Sequence, residues 1–369
     1  MKIYYKYIYM KKKIVVVGFG WASVGFLKRI DTDLYDVEVV SMNKSFLYTP
    51  LLAQNIKANR NLLLDISDIN PRILLREKEV ENVAFDENKV VLKDGSFLTY
   101  DYLILAHGSS VNTFNIPGIL ENCCFLKANE DANNIRSLLE ALPNHSKIAV
   151  IGCGLTGSEV VGTLLDYHKF EIYAIDAVPR PLMMFDSTLS DFTQKLWRGL
   201  GVNVLMEHTV SKIANKTIYF NKPTNTTLDF DLAIWCGGIK MSPLTYIIMK
   251  HCNETYGTSN SRGINVNECL KMNNTKNVWA LGDCANTQNP PTAQVAYQQG
   301  TYLVKHFNSG FQYKEAFKFQ NKGQIGYVGN GNSVFQNRYF KSGGNIVYYL
   351  NKGIHLYNAV KWKQLFNFA

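Results

Sequence analysis

Two glycine-rich turns carry the clearest chemistry in this chain. Gly152-Cys-Gly154-Leu-Thr-Gly157 follows the apolar run Lys147–Ile151 and leads into a helix-like stretch, Ser158–Tyr167. Glycines at the first two positions permit a tight turn and the close approach of a diphosphate, and the helix N-terminus behind them faces its charge. The next strand-like run, Glu171–Ile175, ends in Asp176, 24 residues after Gly152. A carboxylate there accepts both hydroxyls of an adenosine ribose and repels a 2′-phosphate. The site is therefore expected to prefer NADH to NADPH, a preference that the nearby cation Arg180 tempers.

The other turn, Gly18-Phe-Gly20-Trp-Ala-Ser23, follows the β-branched run Ile14–Val17 and leads into Val24–Ile30. Its third position is Ser, small enough for close helix–strand packing. The following strand, Val37–Val40, ends at Ser41, which can accept a hydrogen bond but repels nothing. A third feature is the strand-like Asn277–Leu281 running into Gly282-Asp283-Cys284-Ala285, where Asp283 is placed to hold a sugar or ribityl hydroxyl. Two dinucleotide turns in one chain imply two dinucleotides, and the economical pair is a held flavin and an exchangeable nicotinamide.

The elements that position these turns must belong to an α/β protein. At 369 residues with 46% apolar content, the chain has room for two to three domains and a sizeable core. No run reaches the roughly 18 consecutive apolar residues of a spanning helix. The seven cysteines, at 123, 124, 153, 236, 252, 269 and 284, are odd in number and form no CxxC, which argues against a disulfide framework or a zinc ribbon. They read as small apolar fillers, His107 and His208 read as structural, and no metal is expected.

Charge is uneven. Net charge is +9, yet residues 1–30 and 316–369 each hold seven Lys/Arg and no acid, which leaves the middle mildly acidic. Basic ends seek phosphates, on lipid or on nucleic acid. The C-terminal end mixes Lys with Tyr348, Tyr349, Tyr357, Trp362, Phe366 and Phe368. That mixture suits a membrane interface, or an amphipathic helix packed on its own domain. No nucleic-acid-binding motif is present, and the Lys- and Tyr-rich start lacks the features of a secretory signal.

These residues resemble the two-dinucleotide-binding-domain flavoproteins, and more closely the type II NADH:quinone oxidoreductases, over about residues 13–362. The first turn, GFGWASVGFLK (18–28), is similar to the family's, as are the loop FLYTPLL (46–52), the stretches 111–118 and 121–127, and TGSE (156–159). LGDCA (281–285) resembles the family's ribityl-binding segment. PPTAQVAYQQG (290–300) resembles the segment lining its quinone pocket, and FKFQNKG (317–323) is similar to its FxFxxKG. Ser23 and the middle residue of Ala106-His-Gly108 depart from the pattern.

The resemblance implies two Rossmann-like domains and a C-terminal membrane-associating segment. FAD-binding residues would occupy 11–143 and 263–315, an NADH-binding domain 144–262, and the basic, aromatic region 316–369. The FAD would be held by Gly18, Gly20, Trp21, Ala22, Ser23, Ser41, Thr49, Pro50, Val80, Ala106, Gly108, Gly282, Asp283 and Ala293. NADH would be held by Gly152, Gly154, Leu155, Thr156, Gly157, Asp176, Gly237 and Gly238. Glu159 would sit near the nicotinamide and the flavin, Lys322 near the flavin's far edge, and Gln294 and Tyr297 toward a quinone. The implied activity passes a hydride from NADH to FAD and two electrons on to a quinone, without proton pumping. It implies a peripheral membrane protein facing a reducing compartment, and a possible homodimer. A soluble FAD/NAD(P)H reductase of the apoptosis-inducing-factor or ferredoxin-reductase type, with a protein or other small-molecule acceptor, is the alternative. Disulfide reduction is disfavoured, because no cysteine precedes Cys123.

Overall fold

The computed structural model describes residues 11–256 and 262–361. Trp362, Phe366 and Phe368, together with the first ten residues of the basic start, lie outside that range. The chain forms two compact units, each assembled from separated stretches. The first holds residues 1–46, 64–110 and 241–320; the second holds 47–63, 111–240 and 321–369. Residues 241–262, expected to close the NADH-binding domain, thus group with the first unit, and residues 47–63 and 111–143 with the second.

In the first unit, β1 (Lys12–Val17) leads into α1 (Trp21–Leu27) and returns as β2 (Tyr35–Ser41), followed by β3 (Leu74–Glu77) and β4 (Tyr102–Leu105). The chain then builds the second unit from β5 (Cys124–Phe125), β6 (Lys147–Ile151), α2 (Leu155–Leu165), β7 (Glu171–Ile175), β8 (Asn203–Leu205) and β9 (Leu232–Trp235). It returns to the first unit with β10 (Val278–Ala280) and α3 (Ala293–Asn308). It ends in the second unit with β11 (Gln324–Gly329), β12 (Asn332–Gln336), β13 (Lys341–Gly344) and α4 (Asn345–Lys361).

Each unit is organised on a five-stranded parallel sheet. The orders are β10-β4-β1-β2-β3 in the first and β5-β9-β6-β7-β8 in the second. Parallel strands covered on both faces read as continuous apolar runs, and that is why Ile14–Val17 and Ile148–Ile151 carry no alternation. In register, Ile14 stands between Val37 and Tyr102, and Ile148 between Ile172 and Leu232. Each unit also carries a three-stranded antiparallel sheet, residues 80–99 in the first and 209–229 in the second.

Both site helices begin three residues earlier than their apolar patterns suggest, at Trp21 and Leu155 rather than Val24 and Ser158. The last residues of each glycine motif form the first helical turn, so strand, turn and helix are one continuous device. In the first unit α1 crosses α3 with backbone against backbone. A Cβ on Gly25 would lie 2.4 Å from the Tyr297 carbonyl oxygen, and one on Gly300 would lie 2.0 Å from that of Ala22. Close-packed interiors leave no room to absorb such an atom.

Gly300→Ala should therefore force the two helices apart. We expect the substitution to destabilise the chain by about 1–3 kcal/mol, read as a lower midpoint of thermal unfolding. An unchanged midpoint would contradict the crossing described here.

Candidate functional site

The first turn is held from below by backbone. Gly18 adopts φ +100°, its N–H donates to the Val40 carbonyl at 2.7 Å, and a Cβ there would lie 2.5 Å from the Ala106 carbonyl oxygen. Ser23 is fully buried, and its Oγ donates to the Gly18 carbonyl at 2.7 Å. The serine in the third position is thus part of the turn and ties the helix back to the strand end. Gly20, in contrast, faces open space: a Cβ there would meet no atom within 4 Å. A phosphate can approach the backbone on that side, so the turn fits the diphosphate of a dinucleotide such as FAD.

Around this turn the first unit gathers several of the expected residues. Ala22 and Ala106 are buried, Gly108 adopts φ +72°, and Ser41 is buried with its Oγ accepting from Asn43 N–H. Asp283 stands in the turn after β10, where its Oδ2 accepts from Ser109 Oγ at 2.8 Å. The neighbouring Gly282, at φ +68°, lies 3.4–3.5 Å from the Ala296 and Ala22 methyls by its would-be Cβ, and its N–H donates to Gln299 Oε1 at 2.7 Å. Gln299 is fully buried and holds this turn to α3. It follows directly on the AQVAYQ segment, but its burial could not be read from sequence spacing. Tyr297 stacks edge-on to Trp21 at 6.2 Å, and its hydroxyl accepts from Arg29. Gln294 lies one turn before it, near the start of α3, whose N-cap Thr292 accepts from Val295 N–H. Ala293 opens that helix. Val80, the first residue of the antiparallel sheet, packs on the first unit's core. His107 meets Thr245 Oγ1 through Nε2 at 2.9 Å, and burial pushes its imidazole down to about 4, so it stays neutral.

The second turn repeats the construction with a stricter third position. Gly152 adopts φ +97° against Cys236 backbone, and a Cβ on Gly157 would lie 1.7 Å from the Gly152 carbonyl oxygen. Serine is excluded at 157, and the tie to the strand end comes instead from the next residue, Ser158, whose Oγ donates to the Cys153 carbonyl at 3.1 Å. Gly154 again faces open space. Asp176 accepts from Cys153 N–H at 2.6 Å and from Val178 N–H at 3.3 Å, which fixes its carboxylate at the turn. Gly238 accepts from Asn112 N–H, and Gly237 is required because a Cβ would press into the Trp235 ring at 2.4 Å. Leu155 and Thr156 occupy the first turn of α2, with Thr156 exposed.

Glu159, on the next turn of α2, is brought against β11 by three glycines. A Cβ on Gly162 would lie 2.7 Å from Gly329 N, one on Gly329 2.7 Å from Leu165, and one on Gly326 2.5 Å from Leu155 and 3.9 Å from Glu159 Oε1. Burial pushes the half-buried Glu159 carboxyl up to about 8, opposed by the Tyr327 backbone N–H. The group therefore titrates in the working range of a proton donor or acceptor.

Thr49, Pro50 and Lys322 fall in the second unit. Thr49 and Pro50 begin a single 3₁₀ turn directly after Tyr48, a buried residue that meets His355 Nδ1 through its hydroxyl at 3.3 Å. Lys322 is exposed. The Tyr48–His355 pair is invisible in sequence, since its members are separated by most of the chain. Cys123, Cys236 and Cys284 have thiols pushed up to about 12 by burial, and Cys153 is raised as well. These are poor nucleophiles, which accords with a filler role. His208 donates Nδ1–H to the Met206 carbonyl and packs edge-on to Phe220.

Residues 12–300 match the family described as pyridine nucleotide-disulphide oxidoreductase. Among curated proteins, the chain is 33% identical over 348 residues to a probable mitochondrial NADH-ubiquinone oxidoreductase of Schizosaccharomyces pombe, covering 81% of this chain and 62% of that protein. It is 31% identical over 358 residues to the mitochondrial external NADH-ubiquinone oxidoreductase 2 of Saccharomyces cerevisiae, covering 83% and 64%. The chain thus spans under two thirds of these relatives' lengths. Among solved structures, it is similar to NDH2 from Plasmodium falciparum in complex with NADH, with a TM-score of 0.85 at 23% identity, covering 94% of each chain.

The Glu159 carboxyl gives a pH test. A group raised above its ordinary 4.5 binds its proton more tightly in the folded chain. Its stabilising contribution is full below about 4.5 and is lost as pH rises toward about 8. The unfolding midpoint of the native chain should therefore fall relative to that of Glu159→Gln across this window and run parallel to it above. Parallel profiles throughout would show that the carboxyl is not perturbed.

Proposed function

The chain belongs to the pyridine nucleotide-disulphide oxidoreductase family, and we propose that within it the chain is an FAD-dependent NADH:quinone oxidoreductase that pumps no protons. The observation that carries this reading is the pair of strand–turn–helix cradles in one chain, each with its second glycine facing open space. The two named relatives, both called NADH-ubiquinone oxidoreductases, point the same way.

An FAD bound at the first turn supplies a two-electron carrier between NADH and a quinone. The chain's own residues do the rest. Gly18, Gly20 and Ser23 present the start of α1 to the FAD diphosphate, and Asp283, oriented by Ser109, accepts from a ribityl hydroxyl. Gly152, Gly154 and Gly157 do the same for NADH at α2. Asp176 holds the adenosine ribose while keeping its bond to Cys153 N–H. Glu159, protonated up to about pH 8, is a proton store beside that turn. Gln294 and Tyr297 are the polar groups offered to a quinone, with Tyr297 held by Arg29. Burial holds the thiols of Cys123, Cys153, Cys236 and Cys284 above their ordinary range, which makes these four poor agents for the disulphide exchange that the family's name describes.

The membrane is the expected source of quinone, and α4 supports a peripheral contact with it. This helix is built inside out. Its buried positions include the polar Asn351 and His355, while Ile346, Tyr349 and Tyr357 stand 87%, 70% and 66% exposed. Residues 316–369 contain no acid, and Lys352 lies over the Tyr348 ring. An apolar outer face with Lys and Tyr is what an anionic bilayer interface receives. No described helix is long and apolar enough to cross a membrane.

The test is anaerobic absorbance of the purified protein reconstituted with FAD. Flavin bands should bleach with NADH and return when a short-chain quinone is added. Bleaching without return would replace the quinone by another acceptor, and no bleaching would sink the enzyme. Asp176→Ala should weaken NADH binding by roughly tenfold, the loss of charge-assisted hydrogen bonds, and narrow its advantage over NADPH. Titrations that show equal affinities before and after would remove Asp176 from the site.

A further inference from the structure

The turn joining β12 to β13 is the most exposed aromatic feature of the second unit outside α4. Tyr339 is 86% exposed and Phe340 57%. The turn is nevertheless well ordered by its own bonds. Asn337 Oδ1 accepts from the N–H groups of both Tyr339 and Phe340 at 2.8 Å, and Asn337 N–H donates to the Phe340 carbonyl at 2.9 Å. Its base is anchored: Val334 is fully buried with Leu182, Phe185, Leu189 and Val328. A Cβ on Gly343 would press into the Phe192 ring at 2.8 Å. The hairpin is a rigid arm with a packed root and two aromatic rings at its end.

Charge selects what meets those rings. The Arg338 guanidinium lies over the Tyr339 ring, 5.5 Å from its centroid. Lys341 is tied to Asp186 at 2.7 Å, so that acid is already paired. β13 runs directly into α4, and no acid occurs anywhere in residues 316–369. A second copy of this chain docking by two-fold symmetry would set this cationic surface against itself. A surface of anionic headgroups complements it, and Tyr and Phe rings suit the headgroup–acyl boundary.

We propose that the Arg338–Phe340 tip is a second lipid-contacting element, which inserts Tyr339 and Phe340 into an anionic bilayer interface beside α4. The proposal rests on the membrane reading of α4 and extends it to a fixed point on the sheet. Contact through one helix lets the whole unit rock about that helix's axis. A rigid arm adds a second point of contact, and two points define the orientation of the unit on the surface.

The test uses the full chain and sedimentation with phosphatidylcholine vesicles, with and without phosphatidylglycerol. Three proteins are compared: the native chain, Tyr339→Ser/Phe340→Ser, and Ile346→Ser/Leu350→Ser on α4. The tip substitutions lie on exposed side chains, and their folding is checked by the thermal midpoint. The expected result is native binding that is stronger on anionic vesicles and a roughly tenfold loss in the tip variant, about the transfer free energy of part of two aromatic side chains. Native-like binding of the tip variant together with weakened binding of the α4 variant overturns the tip and leaves the membrane reading standing. No vesicle binding by the native chain overturns both. A change in sedimented mass of the tip variant in solution, with vesicle binding intact, would assign the arm to a copy–copy contact and also overturn the proposal.

Discussion

Backbone has to lie where a side chain would ordinarily stand, and both glycine-rich turns depend on that. In the first unit the closest such approach is between α1 and α3, at Gly25 and Gly300. It sets the N-terminus of α1 beside the turn that carries Asp283, because Ala22 and Ala296 both reach the space above Gly282. In the second unit the same role falls to α2 and β11, which meet at Gly162 and Gly329. There the close approach seats Glu159 against the strand and strips water from its carboxyl. A glycine at these places is a packing requirement, quite apart from the ligand. The glycines of the proposed cradles are others, Gly20 and Gly154, whose missing side chains leave open space instead of filling a contact.

Much of this was legible in the sequence, and for a physical reason. A buried parallel strand is a continuous apolar run, a phosphate turn needs glycine at fixed spacing, and the two signals adjoin at Gly18 and again at Gly152. The strands at 147–151 and 171–175 stand where those runs place them. The helix starts were placed three residues late because polar and glycine residues in the motif mask the first helical turn. Ser23 reads as a departure from the glycine pattern, yet its hydroxyl closes on the Gly18 carbonyl and does part of the turn's work. Gln299, Ser109 and Thr245 were not legible. Each acts by meeting a residue of another element, 17, 174 and 138 positions away, and a hydrogen bond between elements leaves no local spacing to read.

The cysteines and histidines show the same division. The odd number of cysteines and the lack of CxxC argue against a disulfide framework or a zinc ribbon by counting alone. For four of these residues packing supplies the reason they are inert: burial raises the thiols of Cys123, Cys236 and Cys284 far above neutrality and lowers the imidazole of His107 below it. One burial effect silences both chemistries, because in each case it disfavours the charged form. Acting on Glu159, the same effect moves a carboxyl into the neutral range. Desolvation thus removes some groups from the chemistry and makes another available, according to which form carries the charge.

The last helix poses the reverse problem. Two polar residues, Asn351 and His355, share its buried face with Val347, while Ile346, Tyr349 and Leu350 stand outside, which loses hydrophobic stabilisation that a simple roll of the helix would recover. What opposes the roll is the cost of leaving buried polar groups without partners. Asn351 Nδ2 donates to the fully buried Ser333 Oγ, and His355 meets the Tyr48 hydroxyl, so turning the helix would break two bonds in a region that water cannot reach. Buried polar contacts of this kind add little net stability but distinguish one orientation from its alternatives. The sequence pattern alone left two readings open, a membrane face or a helix packed on its own domain. The buried pair at 351 and 355 packs the helix on its own domain by a polar side and leaves Ile346, Tyr349 and Tyr357 facing outward.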